Sequence, residues 1–215
     1  MTILNQKQSV LVWDMPVRIF HWLLAASFAG AWLTSESESQ QMIHYAFGYS
    51  AVALVLFRVI WGVVGTRYAR FGQFIKGPTE TIHHIKALLT GNQHAEPGHN
   101  PAGALAMISL MILILLIGLT GYWSVKDILG DFKREAHEVI ADLTMVVVVI
   151  HIAAAIIMSF MQKENLIRSM VTGKKHGAAE QAIRYSMHFV GMGLLLIYIF
   201  CFYLIVSGAL PSLTQ

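Results

Sequence analysis

The chain has 215 residues, of which 56% are hydrophobic and only 13% charged. That charged fraction is about half of what a soluble domain of this size carries, so an ordinary water-soluble fold is excluded. The formal net charge is +3, but the basic residues lie between apolar runs rather than in one patch. They read as membrane-topology signals and not as a nucleic-acid surface.

The first residues, MTILNQKQSVLVWDMPVR, lack the basic start, apolar stretch and cleavage site of a signal peptide, so the first apolar stretch is expected to stay as an anchor. Five apolar stretches approach or reach the roughly 20 residues a spanning helix needs. The first runs about Val17 to Leu33, with Asp14 as its expected N-cap and Pro16 in its first turn. The second runs Met42 to Val64 and the third Ala102 to Trp123. Between these two, the connection from Arg67 to Asn100 is long for a helical bundle. Its PTETIHHIKALLTG portion is expected to form a short surface helix opened near Pro78 or Thr79 and closed by Gly91. The fourth stretch runs Val139 to Met161 and the fifth Met187 to Leu210. The expected fold is an all-α integral membrane helical bundle.

Charge alternates along the connections. Lys7, Arg18, Arg58, Arg67, Arg70, Lys76, Lys86, Lys163, Arg168, Lys174, Lys175 and Arg184 fall on one face, and Lys126, Lys133 and Arg134 on the other. Twelve basic residues against three predict a cytoplasmic N-terminus and a periplasmic C-terminus.

Of ten histidines, His21, His44, His137 and His151 sit in or at the edge of apolar stretches. Ionisable groups in a membrane are costly and usually face a bundle interior. His137 and His151 are 14 residues apart. That spacing returns them to within about 40° of one helix face and separates them by about 21 Å along the axis. With alternating helix directions, depth pairs His21 with His151 on the inner side and His44 with His137 on the outer side. Two bis-histidine haem sites stacked across the membrane would use these pairs. Hydrogen-bonded helix contacts or a proton relay would use the same residues differently. A zinc site fits less well, because each level offers two histidines and no cysteine. The single cysteine, Cys201, lies in an apolar run, and no Cys-x-x-Cys-His sequence occurs. Any haem would therefore be held without covalent attachment.

Other residues fit a haem site. Gly48, four residues from His44, leaves room for a flat ring, and Gly30 and Ala26 are similar candidates; small-residue helix packing is the plainer role for each. Arg58 lies 14 residues after His44, on the same face at the inner level. It is a candidate partner for haem propionates, with snorkelling to the surface as the alternative. His83, His84, His94, His99, His176 and His188 fall in loops or at helix starts, and His99 and His188 each open an apolar stretch. The methionines read as packing.

PVRIFHW around His21, MIHYAFGYSAVALVLFRVIWG around His44 and Arg58, GHNPAGALAM, and REAHEVIADL through VVVIHIAAA around His137 and His151 together resemble the bacterial cytochrome b561 family, which includes the cytochrome b subunits of nickel–iron hydrogenases. The resemblance spans about Val12 to Lys174. It implies that the four haem-iron axial ligands fall on His21, His44, His137 and His151, with two haem b in a four-helix core. It also implies residence in the bacterial inner membrane. On that division residues 1–175 form the di-haem domain and 176–215 an additional C-terminal helix, absent from smaller relatives, for a partner, a lipid or a quinone.

Iron with histidine on both faces has no open position, which favours electron transfer over oxygen chemistry. The leading expectation is a carrier linking the quinone pool to a periplasmic cytochrome c or an oxidoreductase subunit. Arg67, Arg70 and His99 are candidates for an inner quinone site, and Trp123 to Arg134 for an outer docking surface. A superoxide oxidase reducing ubiquinone is an alternative, with Lys126, Lys133 and Arg134 as its cationic pocket against Asp127, Asp131 and Glu135. A non-redox membrane anchor or transporter is another.

Overall fold

The computed structural model describes residues 8–74, 79, 86, 98, 101–128 and 132–210. Nearly all of the expected surface helix around 77–90 lies outside the described residues, as do His83, His84, His94 and His99. Among the described residues the chain is helical apart from one small ribbon, as the apolar runs require.

Helix α1 covers Met15–Thr34. Its N-cap is Asp14, whose Oδ1 accepts the Val17 N–H at 2.9 Å, and Pro16 occupies its first turn. Helix α2 covers Gln41–Val64 and ends where the Gly65 N–H reaches the Trp61 carbonyl at 2.9 Å. Helix α3 covers Pro101–Val125. Helix α4 covers Phe132–Gln162, starting well before the expected Val139. The polar segment REAHE is helical too, supported by an exposed Arg134–Glu138 pair at 2.9 Å with helical i,i+4 spacing. Apolar run length therefore understated this helix, because its first two turns stand outside the apolar zone. Helix α5 covers Leu166–Thr172, capped by the Asn165 side chain on the Arg168 N–H at 2.7 Å and closed by left-handed Gly173 (φ 80°). Helix α6 covers His188–Val206, shorter at both ends than the expected Met187 to Leu210.

Among the described residues, the helices containing α2, α3, α4 and α6 are long and apolar enough to cross a membrane. The fifth expected span, α1, has 20 residues but is diluted by polar side chains. It is carried by packing along α2 instead. Asp14 reaches Trp61, Phe20 packs on Leu54, and Gly30 meets Phe47, so the two helices run antiparallel. An added Cβ at Gly30 would lie 2.3 Å from the Phe47 ring. Gly30 thus serves helix packing, the plainer of its two expected roles.

Helix α3 runs antiparallel to α2, with Met107 at Arg58 and Gly118 against Val52. Helix α4 packs on α3 and on α5 and makes no comparable contact with α1 or α2. Helix α6 lies on the other side, against α1 and α2. Gly191 seats on Met15, Leu194 on Phe20 and Leu54, and the Tyr198 and Ser27 hydroxyls bond at 3.0 Å.

A two-stranded antiparallel ribbon closes the end that carries the N-terminus, called here the near end. Strand β1 (Gln8–Leu11) pairs with β2 (Lys174–Gly177), Gln8 opposite Gly177 and Leu11 opposite Lys174. Val10, Val12, Trp13 and Val17 bury there with Trp61, Tyr68, Ala69 and Ile183. Lys175, only 8% exposed, lies over the Trp13 ring at 5.7 Å. Burial pushes its pKa down, and Glu164 partly opposes the shift.

Candidate functional site

The site is built across the space between α4 and the α1/α2 pair. His44 is near the start of α2, and His137 is in the second turn of α4. Their ring centroids stand 6.3 Å apart, with the ring planes crossed at 72°. Metal–imidazole nitrogen bonds are about 2 Å long, which puts two trans imidazole centroids about 6 Å apart. The observed spacing is compatible with a single metal ion between the rings.

Hydrogen bonds fix which nitrogen each ring presents. His44 Nδ1 lies 2.9 Å from the Ala31 carbonyl of α1. His137 Nδ1 lies 3.2 Å from the Ile117 carbonyl and 3.1 Å from Thr120 Oγ1 of α3. A carbonyl can only accept, so both Nδ1 atoms carry the proton. Each ring then offers a bare Nε2, the form a metal ligand needs.

The second level lies toward the near end. His21 lies in the second turn of α1, and His151 lies on α4 in the half of that helix farther from His137. His21 Nδ1 is buried and has no protein partner. His151 is 14 residues from His137 on α4, and Thr144 stands midway between them, fully buried, its hydroxyl donating to the Ile140 carbonyl at 2.7 Å. The apolar side chains of Ala51, Val55, Met111 and Ile114, with Leu24 and Phe28 packed against them, insulate the bundle near mid-depth.

Arg58 is 1% exposed, which rules out the snorkelling alternative. Its Nη2 meets Met107 Sδ at 3.8 Å, its Cζ lies 5.1 Å from the Phe71 ring centroid, and its Nη1 has no partner among the described residues. The nearby carboxylate of Asp14 is committed elsewhere. Its Oδ2 accepts from Trp61 Nε1 at 3.0 Å and from the Thr66 hydroxyl at 2.7 Å. The Asp14 charge compensates the guanidinium only in part, so Arg58 can still take a further acceptor on Nη1. Contacts of Trp61 with Asp14 and of Leu54 with Phe20 bracket Arg58, setting it slightly nearer the near end than His21.

These features fit haem b. The His44 and His137 imidazoles could hold an iron between them, Arg58 could take a carboxylate, and an added Cβ at Gly48 would meet nothing within 4 Å. Among the described residues no three His, Cys, Asp or Glu side chains converge as a metal cluster. Arg67 instead reaches the Glu180 carbonyl and the Tyr68 ring, and Arg70 is exposed, so neither meets the histidines. His188 starts α6 and is exposed, and His176 bonds Glu164 at 3.2 Å. Sequence reasoning missed Thr120 and the Ala31 and Ile117 carbonyls. The only local cue was a threonine beside small residues in GLTGY, at the depth of His137.

The family profile for prokaryotic cytochrome b561 matches residues 12–173, which leaves α6 beyond the matched segment. A probable Ni/Fe-hydrogenase B-type cytochrome subunit of Rhizobium leguminosarum bv. viciae is 26% identical, the alignment covering 79% of this chain and 90% of that protein. The corresponding protein of Bradyrhizobium diazoefficiens is 23% identical over 79% of this chain and 87% of its own length. The probable hydrogenase 1 B-type cytochrome subunit of Escherichia coli K12 is 26% identical over 52% of this chain and 58% of its own. No solved structure matches significantly.

Proposed function

The chain belongs to the prokaryotic cytochrome b561 family of membrane b-type cytochromes, and on that premise we propose that it carries electrons across the bilayer through two b haems. His21 and His151 hold the inner group, and His44 and His137 the outer one. A haem held at each pair would supply a one-electron couple. The observation that carries the reading is the 6.3 Å spacing of His44 and His137 with both Nε2 atoms bare.

The chain's own residues bind, orient and insulate. Hydrogen bonds from Nδ1 hold the outer imidazoles in one tautomer. Arg58 pairs with inner haem propionates through its partnerless Nη1. Gly48 leaves a flat face beside His44. The near end, where the basic residues concentrate, is cytoplasmic, and the end bearing His44 and His137 is periplasmic.

Relatives named as hydrogenase cytochrome subunits make a redox enzyme subunit the favoured partner on the outer face, with a periplasmic cytochrome c as the other choice. A quinone exchanges electrons from the lipid side. The test is reconstitution into vesicles with ferricyanide trapped inside and a short-chain quinol added outside. Haem reduction followed by loss of trapped ferricyanide is expected. Reduced haems with no delivery to the trapped acceptor contradict transmembrane transfer.

A further inference from the structure

We propose that Thr120 is a positioning residue for the outer haem, its hydroxyl accepting the Nδ1 proton of His137 and lowering that haem's reduction potential. The proposal rests on His137 being an axial ligand. Thr120 Oγ1 lies 3.1 Å from His137 Nδ1. Its own hydroxyl proton points back to the Leu116 and Ile117 carbonyls at 3.0 and 3.1 Å. The oxygen lone pairs are thereby left to accept from the imidazole.

The site is rigid. Thr120 is buried on α3. The Thr120 carbonyl also accepts the Ser124 hydroxyl at 3.0 Å. An added Cβ at the adjacent Gly121 would lie 3.2 Å from His137 Cε1, so the ring rests directly on this turn of the helix. Gly118, on the same turn, lets Val52 of α2 approach closely and fixes α3 against α2.

Accepting a proton from Nδ1 makes the imidazole a stronger donor at Nε2. A stronger donor favours the oxidised iron and lowers the potential, and the low dielectric of the bundle enlarges the effect. The contrast lies within the molecule. His44 and His137 both have acceptors for Nδ1, whereas His21 Nδ1 has none. Thr120 is the side-chain acceptor among these, sharing the His137 proton with the Ile117 carbonyl, while His44 has the Ala31 carbonyl.

The test is a spectroscopic redox titration of Thr120→Val and Thr120→Ser with haem content measured on each. Thr120→Val is expected to keep both haems and to raise one midpoint potential. The expected change is roughly tenfold in that haem's reduction equilibrium, about 59 mV for a one-electron couple. The other potential stays fixed, and Thr120→Ser, which retains the hydroxyl, returns the shifted one to the wild-type value. Wild-type potentials in Thr120→Val overturn the proposal. If Thr120→Val loses a haem, Thr120→Ser decides: wild-type content and potentials support the hydroxyl's role, and the same loss overturns it. His137→Ala with both haems retained would instead remove the ligand assignment beneath the proposal.

Discussion

At the scale of single residues, the strongest constraint is the buried guanidinium of Arg58. It has aromatic and thioether neighbours and, among the described residues, no hydrogen-bond partner on Nη1. On the proposed reading, a cation beside the inner haem would stabilise the reduced iron, because reduction adds negative charge in a low dielectric. Arg58→Leu is therefore expected to lower the inner haem's midpoint potential and to weaken its retention. The outer potential should hold. A redox titration with haem quantitation checks this, and an unchanged inner potential with full occupancy would separate Arg58 from the haem. Helical period and alternating direction placed His44 and His137 at one depth in the sequence, and the structure sets their rings 6.3 Å apart. The partners of their Nδ1 atoms were not legible there, since a carbonyl of Ala31 or a hydroxyl of Thr120 reaches a histidine only through tertiary packing. Gly30 and Gly48 look alike in sequence. One proves to abut Phe47, while the other opens onto free space.

At the scale of elements, the near-end cap was the least legible part. QSVL and KKHG are four-residue strands with no alternating pattern long enough to announce a ribbon. Their pairing follows from α5, whose last carbonyls are held by α1. Arg18 donates to the Val171 carbonyl, and Trp22 Nε1 to the Met170 carbonyl at 3.2 Å. The turn at Gly173 then delivers β2 alongside β1, and the Val12 N–H bonds the Gly173 carbonyl at 2.8 Å. Lys175 is the weak point of this cap. Burial lowers its pKa below the ordinary value of 10.5, so the folded chain releases that proton more readily than the unfolded chain. Where the two states differ, the unfolded chain binds more protons, and stability rises with pH. The contribution is full above 10.5 and fades as pH falls through the lowered value. Lys175→Met should therefore flatten the rise in thermal stability on the alkaline side. A variant whose melting curves track the wild type across that range would show that Lys175 does not govern it.

At the scale of the whole molecule, the helices divide by task. Helices α1, α2 and α4 carry the four histidines, and α3 braces His137 through Ile117 and Thr120. Helix α6 lies outside the matched family segment and packs on the side of α1 and α2 away from α4. Its Tyr198 and Phe202 meet Ser27 and Phe47, which fixes the spacing of the two helices bearing His21 and His44. Four of the five expected spans were readable from apolar run length, while α1 and the polar start of α4 were not. The side on which α6 would pack was not, because its sequence is apolar all round and has no polar face to orient it.

The central claim is two b haems held by two histidine pairs. It is tested most directly by a pyridine haemochrome assay on the purified wild type and His151→Ala. The account predicts close to two haems per chain in the wild type and close to one in the variant, the outer haem keeping its spectrum and potential. One haem per chain in the wild type, or loss of both haems from a variant that remains folded, would contradict it.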